Sequence, residues 1–194
     1  MRSRFLLWIA LALGAPAPVA AIPAPDPAQC SVEPVVVGCS SGALIGDGFR
    51  VTVRDYTGAT MAGSVVTVGM PSSVHPYTSQ VGFTQVTCTS HKIYNVTNGF
   101  GDVVFQPRVG GYANSPSVQV VADGVLLRTV VVRSTDIDAD GATAVGDFNL
   151  FRLNFLFAPA AQETDYDESG ATDVGDFNVF RQIFLNDVPG TPCP

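Results

Sequence analysis

The order of apolar and polar positions along the chain changes period twice. Residues 5–13 form an unbroken apolar run. From about Cys30 to Arg133 the pattern is that of strands: Phe49-Arg50-Val51-Thr52-Val53-Arg54 alternates with a period of two. Ser64 to Val68 is β-branched, and Val81 to Cys88, Lys92 to Val96, Asp102 to Phe105, Ser117 to Ala122 and Val125 to Val132 are further strand candidates. Asp55 to Gly58 predicts a turn, and Asp123-Gly124 predicts a tight hairpin. About seven short strands in roughly a hundred residues predict an antiparallel β-sandwich. Beyond Ser134 the period becomes helical. Phe148, Phe151 and Phe155, widened by Leu156, share one helical face, and Phe177, Phe180, Phe184 and Leu185 repeat that stripe. Each helix is too short to be stable alone. The two are therefore expected to pack on each other, Phe on Phe, about a pseudo-twofold.

That repetition is part of a longer one. Thr135 to Leu156 and Thr164 to Leu185 are offset by 29 residues and agree at 15 of 22 positions. Each copy opens with a 12-residue acidic loop in the EF-hand arrangement. Asp136, Asp138 and Asp140 take positions 1, 3 and 5, Gly141 takes 6 and Asp147 closes at 12. Asp165, Asp167 and Ser169, then Gly170 and Asp176, repeat this in the second copy. Calcium is a hard cation that takes six to eight oxygens, and oxygens at alternate loop positions can turn inward together. The glycine permits the sharp turn. The carbonyls of Ala142 and Ala171 are expected to add one ligand each. Asp147 and Asp176 also face the positive end of the following helix. One such loop arises by chance, but two at a fixed offset predict two calcium ions. Magnesium demands a tighter octahedron, and transition metals call for His or Cys donors that the loops lack. The bland alternative is a pair of helix-capping Asx turns that bind nothing.

Charge supports cations. The chain has a net charge of -7, which disfavours a nucleic-acid partner. Of its 17 acidic residues, 11 lie from Asp136 onward, against only Arg152 and Arg181 as bases there. Residues 1–21, with Arg2 and Arg4 ahead of the apolar run and Val19-Ala20-Ala21 before a cut, read as a secretory signal segment too short to span a membrane. Residues 22–29 read as a Pro-rich tether. The mature chain is expected to be secreted, with no further membrane span. Cys30, Cys39, Cys88 and Cys193 then imply two disulfides with three possible connectivities. The expected pairing is Cys39–Cys88 and Cys30–Cys193. His75 and His91 are the only histidines and are expected at the surface. No nucleophile–His–acid set stands out, so the protein is expected not to be an enzyme.

The acidic loop, glycine and closing aspartate, followed by D-F-x-x-F-R-x-x-F-L with no preceding helix, resemble the dockerin repeat over about 50 residues. The stretch Val51 to Val66 with Gly99-Phe-Gly-Asp-Val-Val-Phe105 is similar to bacterial immunoglobulin-like domains of surface proteins. These resemblances imply an N-terminal immunoglobulin-like β-sandwich (30–133) and a small all-α dockerin-like module (134–194) made of two calcium loop–helix units. The dockerin resemblance implies docking to a cohesin-like protein or another surface partner. The sequence departs from the pattern at loop position 8, which is Thr143 or Thr172, and at 10 and 11, which are Val145-Gly146 or Val174-Gly175. Those departures put a cellulosome-type partner in doubt. Ser169 is a neutral ligand, so the second site is expected to be the weaker. Leu150, Leu153 and Phe157 on the first helix, with Val179 and Ile183 on the second, lie off the Phe stripe. They are expected either to form a partner surface or to dock on the β-region. The alternative function is a calcium module that is purely a structural cap, with a β-sandwich that binds a polysaccharide.

Overall fold

A computed structural model describes residues 23–42, 45 and 47–194. The expected signal segment lies outside them. Eleven strands and two α-helices follow in chain order: β1 (Ser31–Val32), β2 (Val35–Gly38), β3 (Phe49–Thr52), β4 (Val65–Gly69), β5 (His75–Pro76), β6 (Gln85–Thr87), β7 (Lys92–Val96), β8 (Asp102–Phe105), β9 (Val109–Gly110), β10 (Ala113–Ala122), β11 (Val125–Ser134), α1 (Val145–Phe157) and α2 (Val174–Leu185). The strand order is β2-β11-β10-β4-β7-β6 in the larger sheet and β1-β3-β8 in the smaller, with β5-β9 as a ribbon. The larger sheet curls. All pairs are antiparallel except β2 with β11, which run parallel.

Alternation along the strands builds the main core. Phe49 and Val51 from β3, Val66 and Val68 from β4, Val103 and Phe105 from β8, and Val118 and Val120 from β10 all point into one cluster. The other faces of these strands are solvated. β7 and β8 match the expected limits, β10 and β11 are longer, and Asp123-Gly124 turns with both φ positive, as the hairpin demands. Only Gln85–Thr87 of the expected 81–88 strand is extended.

Two expectations are overturned. The strands do not form a purely antiparallel seven-strand sandwich, because β2 inserts parallel beside β11. Nor is there a small all-α C-terminal module. The protein is mostly β, and its two α-helices lie against the sheet. The reason is visible at β2, where pleating sends successive side chains to opposite faces. Val36 enters the main core, whereas Val37 packs on the Phe cluster of the helices. β11 runs straight into the first acidic loop through Ser134, leaving no linker across which a module could separate.

The segment after α2 completes the attachment. It returns to the β-body, where Tyr77 bridges Pro192 and Thr78 N–H donates to Thr191 O at 2.9 Å. Cys88 and Cys193 form a disulfide with a Cα–Cα distance of 5.0 Å. Both expected pairings are therefore wrong. Cys30 Sγ sits 3.3 Å from Arg54 N, and buried Cys39 Sγ sits 3.4 Å from Ser41 Oγ. Cys193 does tie the chain's last residues to the β-body, but its partner is the cysteine in the turn between β6 and β7. His75 and His91 face this segment and are only half exposed. Their rings contact Cys193 O and Pro194 O at 3.0 and 2.9 Å.

Candidate metal centre

Both acidic loops bring their carboxylates to a common focus. Asp136, Asp138, Asp140 and Asp147 offer ligand oxygens within 4.8 Å of one another, as do Asp165, Asp167 and Asp176. The same backbone device produces both. Position 4 is left-handed in each copy, at Ala139 (φ 61°) and Glu168 (φ 60°), and so is the following glycine, at Gly141 (φ 105°) and Gly170 (φ 92°). The closing carboxylates are pinned alike. Asp147 Oδ1 accepts from Ile137 N–H at 2.6 Å and its Oδ2 from Ala144 N–H at 2.8 Å. Asp176 does the same with Tyr166 and Asp173 N–H. Ser169 Oγ donates to Ala171 O at 3.0 Å, so two expected neutral ligands lie together.

Residues that depart from the dockerin pattern have structural work here. Thr143 and Thr172 are buried, and each is hydroxyl-bonded to the Thr just ahead of its loop: Thr135 with Thr143 at 2.9 Å, Thr164 with Thr172 at 2.6 Å. At position 11 a Cβ on Gly146 would lie 2.9 Å from Asp138 Oδ2, and one on Gly175 2.5 Å from Asp167 Oδ2. The glycines leave room for the carboxylates at position 3.

Loop one is embedded in the β-body. Asp136 is fully buried, and its Oδ2 accepts from the Tyr77 hydroxyl. Gly110 passes so close that a Cβ there would collide with the same carboxylate. Ser40 Oγ accepts from Thr143 N–H at 3.1 Å and donates to Asp187. Arg108 spans Ser40 O at 2.6 Å and Val188 O at 3.0 Å, and its guanidinium covers the Tyr77 ring. Of the residues that surround the loop, Tyr77, Gly110, Ser40 and Arg108 carried no signal in the sequence, since they come from distant strands and loops. Thr135 and Thr143 did carry one, being invariant between the copies.

Burial raises the Asp136 carboxyl to about 7, opposed by the Tyr77 hydrogen bond and reinforced by the Asp147 charge. Burial likewise raises Asp147 and Asp176, against the backbone N–H groups they accept from. Buried carboxylates crowded together without a cation are costly, and a bound divalent ion removes that cost. In loop two, Asp165 is 4% exposed, and its Oδ1 is buried with no hydrogen-bond donor. An orphaned carboxylate oxygen at a focus of acids is what a metal ligand looks like before its ion is added. The donors in both loops are oxygen only, which fits a hard cation.

Behind the loops the helices meet as the Phe stripes predict. Phe151 and Phe180 stack at 5.1 Å, and the pairs Phe148–Phe180 and Phe151–Phe177, exchanged by the repeat, are both 6.2 Å apart. The expected partner surface divides. Leu150, Leu153 and Phe157 are exposed, but Ile183 is 1% exposed and Val179 packs on the Phe cluster. On the second helix, then, Val179 belongs to the helix core and Ile183 is buried, so neither adds to an exposed surface.

No family model, curated protein or solved structure matches this chain. Among the described residues no helix is long and apolar enough to cross a membrane. The disulfide is of the kind that persists in oxidising compartments.

Proposed function

We propose that this is an exported, non-catalytic binding protein whose two acidic loops each take one calcium ion, and that the ions set the helix pair for docking to a partner protein. The observation that carries the calcium reading is the convergence of carboxylates in both loops, with Asp165 Oδ1 left without a donor. The dockerin resemblance supports the docking role, as do the apolar side chains of Leu150, Leu153 and Phe157 exposed along α1. Calorimetric titration of the metal-free mature protein with calcium is the test. Two bound ions per chain are expected; no heat of binding, or equal heat with both loops' aspartates changed to asparagine, would sink the proposal.

A second reading has its own support. Loop one leans on Tyr77, Ser40 and Gly110, so calcium there also acts as a clamp holding the helices to the sheet. If the ions serve only as a structural cap, ligand capture belongs to the β-body, and a polysaccharide is the candidate. Binding assays on the full chain separate these. Replacing Leu150, Leu153 and Phe157 with serine abolishes capture of a cohesin-like protein under the first reading and leaves polysaccharide retention unchanged under the second.

A further inference from the structure

The two loops differ in what stands behind their first aspartate. Arg133 is the last but one residue of β11 and is in register with Val37 of β2. Val37 points to the helices, so Arg133 shares that outer face and reaches across to loop two. It is 7% exposed. Its Nη1 donates to the Asp165 carbonyl, and its Nη2 stands 3.8 Å from Asp165 Oδ2. Asp165 Oδ2 also accepts from Gly170 N–H at 3.2 Å, whereas Asp165 Oδ1 and Arg133 Nε are both buried without a hydrogen-bond partner. This is the one ion pair among the described residues. In loop one no guanidinium pairs with the first aspartate: Asp136 meets the neutral Tyr77 hydroxyl, and Arg108 lies over the Tyr77 ring instead.

Resting on the calcium reading above, we infer that Arg133 is a built-in counter-cation of loop two. It holds that loop's first aspartate when metal is absent and weakens the loop for calcium relative to loop one. Charge makes the argument. Loop one gathers four carboxylates and loop two gathers three. Counted with every carboxylate in the ionised form that binds calcium, the second set with Arg133 carries a formal charge of -2, from three carboxylates and one guanidinium, against -4 in the first. A guanidinium one carboxylate away from a divalent ion repels it through a medium of low dielectric. Removing the guanidinium acts on both ends of the equilibrium. The metal-free state loses the partner of a buried charge, and the bound state loses the repulsion. Both changes favour binding. Calcium therefore fills loop one first, and the interval between the two steps is set from the β-sheet, outside either loop.

The test is calcium titration of the full chain as wild type, Arg133→Met and Arg133→Lys, read beside metal-free melting temperature. Ser169→Asp, which adds a carboxylate to loop two alone, identifies the weaker step by tightening it. Arg133→Met is expected to tighten that same step by about tenfold or more, to leave the tighter step within twofold and to lower the metal-free melt. Arg133→Lys, which keeps the charge, stays near wild type in affinity. Should Arg133→Met fail to fold without metal, dissociation rates measured from the calcium-loaded protein give the same comparison, with slower release expected. A weaker or unchanged second step in Arg133→Met overturns the inference while leaving the calcium reading intact. Absence of calcium binding in the wild type overturns that reading itself.

Discussion

Asp136 and Asp165 hold the same place in the two acidic loops, yet the first is met by a tyrosine hydroxyl and the second by a guanidinium. Loop one is wrapped by the β-body and by the segment after α2, with Gly190 N–H donating to Gly141 O at 2.8 Å. Loop two meets β11 through Arg133 on Asp165 and through the Tyr166 hydroxyl, which donates to Ser134 O at 3.4 Å, and its outer residues from Asp167 to Gly170 are exposed. Duplication therefore supplied two copies of a ligand spacing. The environment of each copy was set by where its ends leave the sheet. An identical loop is thus no guarantee of an identical site.

The broadest way to press this comparison is to remove the metal. At calcium a hundredfold above each Kd, two ions add about 5 kcal/mol, which is a fall of about 10–20 °C on chelation. Differential scanning calorimetry with and without EDTA reads it, and an unchanged melt would count against both loops as metal sites. Next comes the disulfide. Cys88 and Cys193 close a span of 105 residues, so reduction is expected to cost about 4 kcal/mol. Because the tethered segment lies on Gly141, reduction should loosen calcium in loop one and spare loop two. Equal loss in both would erase the distinction.

Two substitutions sharpen it further. Gly110→Ala places a methyl group against Asp136 Oδ2 and 3.0 Å from Ala139 Cα. It is expected to cost about 2–3 kcal/mol and to remove one calcium equivalent, with loop two still titrating. Tyr77→Phe deletes the hydroxyl that Asp136 accepts from and is expected to cost about 1.5–2 kcal/mol in a chemical-denaturation series. Loss of the loop two equivalent in either variant would contradict the assignment.

The smallest effect is on pH. Asp136 has a folded pKa raised to about 7, above its unfolded value near ~3.9. Its contribution to metal-free stability is therefore complete below about pH 4 and lost as pH rises through about 7. EDTA-treated protein should melt a few degrees higher at pH 5 than at pH 8. Calcium needs the ionised carboxylate, so the loaded protein should show the opposite order. Asp136→Asn should flatten the metal-free difference; if it does not, another group carries the titration.

Strands β7 and β8 were legible to the residue, because alternation and β-branching agree there with a half-buried sheet. The strands Ser31–Val32, His75–Pro76 and Val109–Gly110 were not, because two residues cannot show an alternation, and Val35–Gly38 was not because it does not alternate. Val35 to Val37 is a plain apolar run that cannot announce that its members face two different cores. The cysteine pairing failed for a related reason. Even-numbered cysteines state that bridges are possible, whereas the path of the chain after α2 decides which two sulfurs meet.

What the residues determined unaided was local: two acidic twelve-residue loops, each with a glycine where the backbone must turn left-handed, and each followed by a Phe stripe at helical spacing. Those features act over a few residues, so they survive in any reading of the order alone. Tertiary structure decided everything that joins distant segments. It placed the helices on the outer face of β2 rather than in a module of their own, set Tyr77 on one first aspartate and Arg133 on the other, and chose Cys88 for Cys193. Burial and charge compensation are properties of neighbours in space, and the separation along the chain from Tyr77 to Asp136, or from Arg133 to Asp165, leaves no trace in composition or period.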